Sequence, residues 1–129
     1  MAQVKIYGLT STLNDKKESI SIGIHKAVMS ALAYPVEKKF HRFISLNQNE
    51  FIYPEDRSHE YIIIEISMFE GRSIETKKTL IRQLYAHLLA ESDIHSQDIE
   101  ITIFETPKED WGIRGKPADE LTLDYTVEI

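Results

Sequence analysis

The chain has 129 residues, enough for one domain with its own core, and its formal net charge of −6 argues against nonspecific nucleic-acid binding. No apolar run approaches the roughly 20 residues of a membrane span, and the absence of cysteine excludes disulfides and thiolate chemistry. The opening "MAQVKIYG" has neither the apolar stretch nor the cleavage site of a signal peptide, so a cytoplasmic protein is the expectation.

Val4 to Leu9 reads as a strand, with Val4 and Ile6 on one face and Lys5 and Tyr7 on the other. Thr12 or Asn14 is placed to cap a helix running to about Ala33. Ile20, Ile24, Ala27, Val28, Ala31 and Leu32 form its apolar face, and Pro35 stops it near Tyr34. "FHRFISLN" follows as a strand and "FIYPEDRSHE" as a loop. The pattern then restarts. "YIIIEISMF" is a strongly apolar, β-branched strand ended by Gly71. Ser73 is a good cap for a helix with the stripe Leu80, Ile81, Leu84, Tyr85, Leu88 and Leu89. "IEITIFE" is a strand with Ile99, Ile101 and Ile103 on one face and Phe104 on the other. "TPKEDWGIRGKPADE" is turn-rich, and "LTLDYTVEI" reads as a short strand or a docked tail.

The order is β-α-β twice, offset by about sixty residues, within one domain of two units, 1–58 and 59–129. Two right-handed crossovers side by side predict an α+β fold: a four-stranded mixed sheet with two helices on one face. The other face needs a cover, and burial by further subunits is expected.

The second unit also carries motifs. "FEGRSIETKKTLIR" resembles the "EGRS…K.TLIR" segment of 4-oxalocrotonate tautomerase, and "WGIRGKPADE" resembles its "FGIGG" turn. The match runs from about Ile62 to Ala118, and the first unit resembles the same pattern more weakly. The chain resembles a fused two-unit member of the tautomerase superfamily, in the size class of malonate semialdehyde decarboxylase and cis-chloroacrylic acid dehalogenase. The resemblance implies a homotrimer in which an amino-terminal proline is the base, arginines bind a carboxylate, and an aromatic residue closes the site.

Carried over by residue, the proline position holds Ala2. If Met1 is removed, Ala2 presents a primary α-amine with an unperturbed pKa of about 7.7–8.0. An apolar pocket and nearby arginines would lower that value. The amine would then be a base or a Schiff-base former. With Met1 retained and projecting into the pocket, Ala2 is only a strand start. Arg72 matches a substrate-binding arginine at a strand end, where a helix N-terminus and a guanidinium both favour an anion. Arg42 matches the second arginine, and its counterpart in the other unit is read as Glu100. Thr12 stands where the second unit has Arg72, so the two units carry complementary arginines suited to one composite site. Trp111 matches the closing aromatic, Arg114 adds a cation beside it, and Phe51 occupies the matching turn of the first unit. Lys38 lies near the place of an acidic residue used by the decarboxylases, and Glu70 falls where they have a second arginine. These departures argue against decarboxylation and hydrolytic dehalogenation.

The expected function is proton transfer on a small keto or enol carboxylate. The alternative is a noncatalytic trimeric anion binder or scaffold. No metal or cofactor is implied, because the five histidines lack metal-ligand spacing and no glycine-rich phosphate loop is present. The expected partners are a small anionic ligand and further copies of the chain, with neither nucleic acid nor membrane.

Overall fold

The computed structural model describes residues 2–129. Strand β1 (Ala2–Leu9) leads directly into helix α1 (Thr10–Leu32), and β2 (His41–Leu46) returns alongside β1 in parallel. Strand β3 (Ile62–Phe69), helix α2 (Ile74–Ser92) and β4 (Ile99–Thr106) repeat the unit. The sheet order is β2-β1-β3-β4, with β1 and β3 antiparallel at its centre. This is the expected four-stranded mixed sheet with two helices.

The registers of the two units superpose under a shift of 60 residues, which carries the pair Lys5–Arg42 onto Glu65–Thr102. The counterpart of Arg42 is therefore Thr102, and the reading of Glu100 is corrected by two residues. Strand pairing, not motif spacing, sets that register, and Glu100 lies opposite Ile63.

Alternation along the strands decides the layers. Ala2, Val4 and Ile6 of β1 and Ile62, Ile64, Ile66 and Met68 of β3 are buried in one cluster. Leu13, Ile20, Ile24 and Val28 of α1 and Leu80, Leu84 and Leu88 of α2 complete that cluster. The helices meet closely at Gly23, where a Cβ would stand 3.0 Å from the His87 carbonyl oxygen and 3.3 Å from Leu88 Cα. Those neighbours are backbone, so a side chain there has to push the helices apart. On the opposite sheet face, Tyr7 donates to Glu65 Oε1 at 2.8 Å, and Lys5 Nζ lies 3.7 Å from the same oxygen. Arg42, Thr102 and Phe104 are exposed on this face.

The helix ends differ in their chemistry. Ser73 caps α2 by accepting from the Thr76 amide. Helix α1 instead starts from Leu9 with no side-chain cap, contrary to the expectation for Thr12 or Asn14. Thr12 lies inside the helix, and its hydroxyl is committed elsewhere, donating to the His59 carbonyl at 2.7 Å. Both helices close on a left-handed residue, Ala33 (φ 50°) and Asp93 (φ 57°).

Residues 108–117 form a turn followed by a small hairpin of β5 (Gly112–Ile113) and β6 (Lys116–Pro117). Arg114 (φ 51°) and Gly115 (φ 86°) occupy its two-residue turn. Residues 121–129 form a docked tail and no strand. Val127 is buried against Phe69 and Ala118, and the Ser73 amide and Thr76 hydroxyl both donate to the Ile129 carbonyl.

The close helix contact yields a direct test. Gly23→Val gains little helix propensity and overpacks backbone, so it should lower unfolding stability by about 1–3 kcal/mol. Ser30→Val, on the exposed face of the same helix, should leave stability nearly unchanged. Denaturant unfolding measures both.

Candidate functional site

The antiparallel pairing of β1 with β3 sets Ala2 opposite Met68. The chain leaves β3 at Phe69, turns at Gly71 (φ 128°) and enters α2 behind Ser73. Arg72 is thereby held at the end of the sheet where β1 begins. Ala2 is 3% exposed and Arg72 is 5% exposed. Any side chain at Gly71 would be strained by that φ and would press on Val127, 3.1 Å from a built Cβ.

Arg72 is incompletely satisfied. Its Nη1 donates to the Phe69 carbonyl at 3.3 Å, while Nε and Nη2 are buried without a hydrogen-bond partner. Among the described residues no carboxylate lies within ion-pair distance of it. Burial pushes the guanidinium below its ordinary pKa, and Tyr125, Tyr34 and Glu105 oppose that shift. A guanidinium remains charged under such a shift, so a buried cation with free donors stands at the start of a helix. That combination suits an anion.

Tyr34 is the second element. It follows the left-handed cap Ala33, is buried, and its hydroxyl accepts from the Ala2 nitrogen at 2.8 Å. The Tyr34 and Tyr125 rings meet edge to face with centroids 4.8 Å apart, and the two phenols share a hydrogen bond. Burial pushes both phenols up, so both stay protonated near neutral pH. Beyond them lies a cavity of about 200 Å³, lined by Tyr34, Lys38, Ile113, Arg114, Asp124 and Tyr125 among others. Trp111 packs edge-on against Phe69 at this end, with ring centroids 5.0 Å apart.

Of the residues singled out from the sequence, Ala2, Arg72, Trp111 and Arg114 lie at this end of the sheet. Arg42 is exposed on the open face and, with Gln3, Lys39, Phe40 and His41, lines a separate shallow cavity. Phe51 lies at the opposite end of the sheet, packed on Tyr53 and Tyr61 beside Leu9. It is the counterpart of Trp111 under the 60-residue shift, just as Leu9 is the counterpart of Phe69. At that end Phe51, Tyr53 and Tyr61 cluster and Thr12 bonds to His59, while a cavity of about 310 Å³ opens beside Leu9, Thr10, Leu46 and His59. The expectation for Met1 lies outside the described residues. Tyr34 and Tyr125 were not legible as site residues, because no local motif marks them and both depend on tertiary packing. Among the described residues no group of three histidine, aspartate or glutamate side chains converges as a metal site.

Arg72 generates a stability prediction. Replacing a buried, incompletely paired cation with an apolar side chain of similar length should stabilise the fold by about 1–4 kcal/mol. Arg72→Met should therefore raise the thermal midpoint. A lowered midpoint would show that the guanidinium is a structural tie.

With this geometry in view, a family model described as "Tautomerase enzyme" matches residues 38–114. The chain is 40% identical over 57 residues to a 2-hydroxymuconate tautomerase of Comamonas testosteroni, covering 44% of this chain and 90% of that relative. The relative thus corresponds to less than half of this chain, in keeping with a doubled unit. A solved structure of FG41 malonate semialdehyde decarboxylase inhibited by 3-bromopropiolate superposes with a TM-score of 0.81 at 22% identity, covering 94% of this chain and 98% of that one. A fused 4-OT described as a symmetric trimer gives a TM-score of 0.76 at 17% identity, covering 91% and 96%. At these identities the structural likeness speaks for the fold.

Proposed function

The chain belongs to the tautomerase family, and from that premise we propose that it moves a proton on a small keto or enol carboxylate, with the α-amine of Ala2 as the proton carrier once Met1 is removed. The observation that carries this reading is Arg72, a buried guanidinium with two unpartnered nitrogens at the sheet end where β1 begins. Leaving such donors unpaired costs free energy, and a carboxylate would satisfy them after a shift of the side chains that cover Arg72, which itself lies behind the cavity lining. The helix N-terminus beside it adds to the attraction.

In this reading the neutral amine takes a proton from the carbon or oxygen of the substrate and returns it at the neighbouring position. The positive potential of Arg72 stabilises the enolate-like charge that develops between those steps. Burial of Ala2 and the nearby guanidinium both favour the neutral amine. Lys38, Arg114 and Asp124 line the cavity, two cations against one carboxylate, which leaves a net positive charge toward an anion. Trp111, packed on Phe69 behind Arg72, would cover the site from the hairpin side.

We also propose a homotrimer. The centre of the open sheet face carries the Lys5, Tyr7 and Glu65 network with exposed Arg42 and Phe104 beside it, and a partner subunit is the natural cover. In such an assembly Arg42 and Phe51 would act across a subunit boundary, since Arg42 points from the open sheet face and Phe51 lies at the far end of the sheet.

The test uses protein whose intact mass shows that it starts at Ala2. Ketonisation of phenylenolpyruvate, followed by loss of enol absorbance, should run above the buffer rate. Arg72→Ala should lower kcat/KM by roughly 10²-fold. No rate above buffer, or an Arg72→Ala protein as active as the parent, would refute the reading.

A further inference from the structure

The two units differ at one position in a way that concerns the Ala2 nitrogen directly. Each helix ends on a left-handed residue, Ala33 or Asp93, whose amide bonds back to Met29 or Leu89. The residue after that cap is Tyr34 in the first unit and Ile94 in the second. Tyr34 lies 32 residues beyond Ala2, and the same step from Ile62 leads to Ile94. Ile94 is 0% exposed and belongs to the apolar core. The Ile62 nitrogen is always a peptide nitrogen, whereas that of Ala2 becomes an amine on removal of Met1. A phenol therefore replaces an aliphatic core residue in the unit that carries the proposed amine.

From this juxtaposition we infer that Tyr34 is a positioning residue for the Ala2 nitrogen, accepting a hydrogen bond from it and orienting it toward the cavity lined by Lys38, Arg114 and Tyr125. The inference rests on the proposed role of Ala2. It adds a residue to which neither the family motifs nor the arginines point.

The chemistry favours this role over simple core packing. A buried hydroxyl needs partners, and aliphatic Ile94 shows that this position does not require one. The Tyr34 oxygen accepts at 2.8 Å from the Ala2 nitrogen, a peptide N–H while Met1 is attached and the amine once it is removed, and Tyr125, which shares a hydrogen bond with it, fixes the ring by edge-to-face contact. Acceptance of an N–H bond favours the protonated amine over the neutral one, because the ammonium is the stronger donor. Burial and Arg72 act in the opposite direction. Tyr34 would thus keep the amine from becoming too weak a base while holding one N–H in place. The remaining substituents of the nitrogen are then directed by the strand and not by free rotation.

The test compares the parent protein, Tyr34→Phe and Tyr125→Phe, each prepared from a cleavable leader so that the chain starts at Ala2. Two readouts are taken: the 15N shift of alanine-labelled Ala2 against pH, and the pH dependence of kcat/KM for phenylenolpyruvate. Tyr34→Phe should lower the amine pKa by about one pH unit. The acid limb of kcat/KM should move to lower pH by the same amount, since the neutral base then persists to lower pH. Tyr125→Phe, which leaves the Tyr34 oxygen in place, should shift the titration less. An unchanged or raised amine pKa in a Tyr34→Phe protein with the parent's thermal midpoint would overturn the inference. If the parent shows no ketonisation, the proposed reaction fails, but the 15N titration still decides whether Tyr34 governs the nitrogen.

Discussion

The pairing of β1 with β3 is the constraint on which the rest of the molecule depends. Their antiparallel register puts the start of the chain opposite the end of β3, with Ala2 facing Met68. A slip of one residue would turn Ala2, Val4 and Ile6 out of the core, so burial of those side chains enforces the register. Once it is set, the turn through Gly71 delivers Arg72 to the same end of the sheet. The tail from Tyr125 to Ile129 then closes over that end, with Val127 against Gly71 and the Ile129 carbonyl on the first turn of α2. The geometry of the site is a consequence of sheet pairing, not of a local motif.

The doubled architecture repeats the same backbone at both ends of the sheet, and the side chains make the two ends different. At the Ala2 end there are a buried guanidinium with open donors, two phenols and a cavity. At the Ile62 end Thr12 replaces the arginine and bonds to His59, Ile94 replaces the tyrosine, Phe51, Tyr53 and Tyr61 cluster, and the cavity beside Leu9 and His59 has no arginine in its lining. Arg57 lies near Tyr61 but pairs with Asp56 at 2.7 Å and approaches Glu100, so its charge is spent locally.

Much of the fold was legible because each unit repeats a simple pattern. Alternation in "VKIYG" and "IEITIFE", the helical stripe from Leu80 to Leu89, and Ser73 as a cap all describe local physics, and local physics decided those elements. Arg72 was legible because a cation at the start of a helix contradicts the dipole and so asks for another reason. What escaped is what depends on distant residues. Tyr34 gains its role from a nitrogen on another element, Thr12 loses its capping role to a carbonyl on a loop, and the counterpart of Arg42 is fixed by strand register. The tail was ambiguous between strand and docked segment because its apolar residues serve a closure and not a sheet edge.

In the proposed reading each chain builds one anion site, at the Ala2 end of the sheet. Calorimetric titration of the Ala2-starting protein with a small keto acid such as phenylpyruvate tests this most directly. One ligand should bind per chain, with binding abolished in Arg72→Met and retained in Arg57→Met. Two equivalent sites per chain, or binding that survives loss of Arg72 and disappears with Arg57, would contradict it.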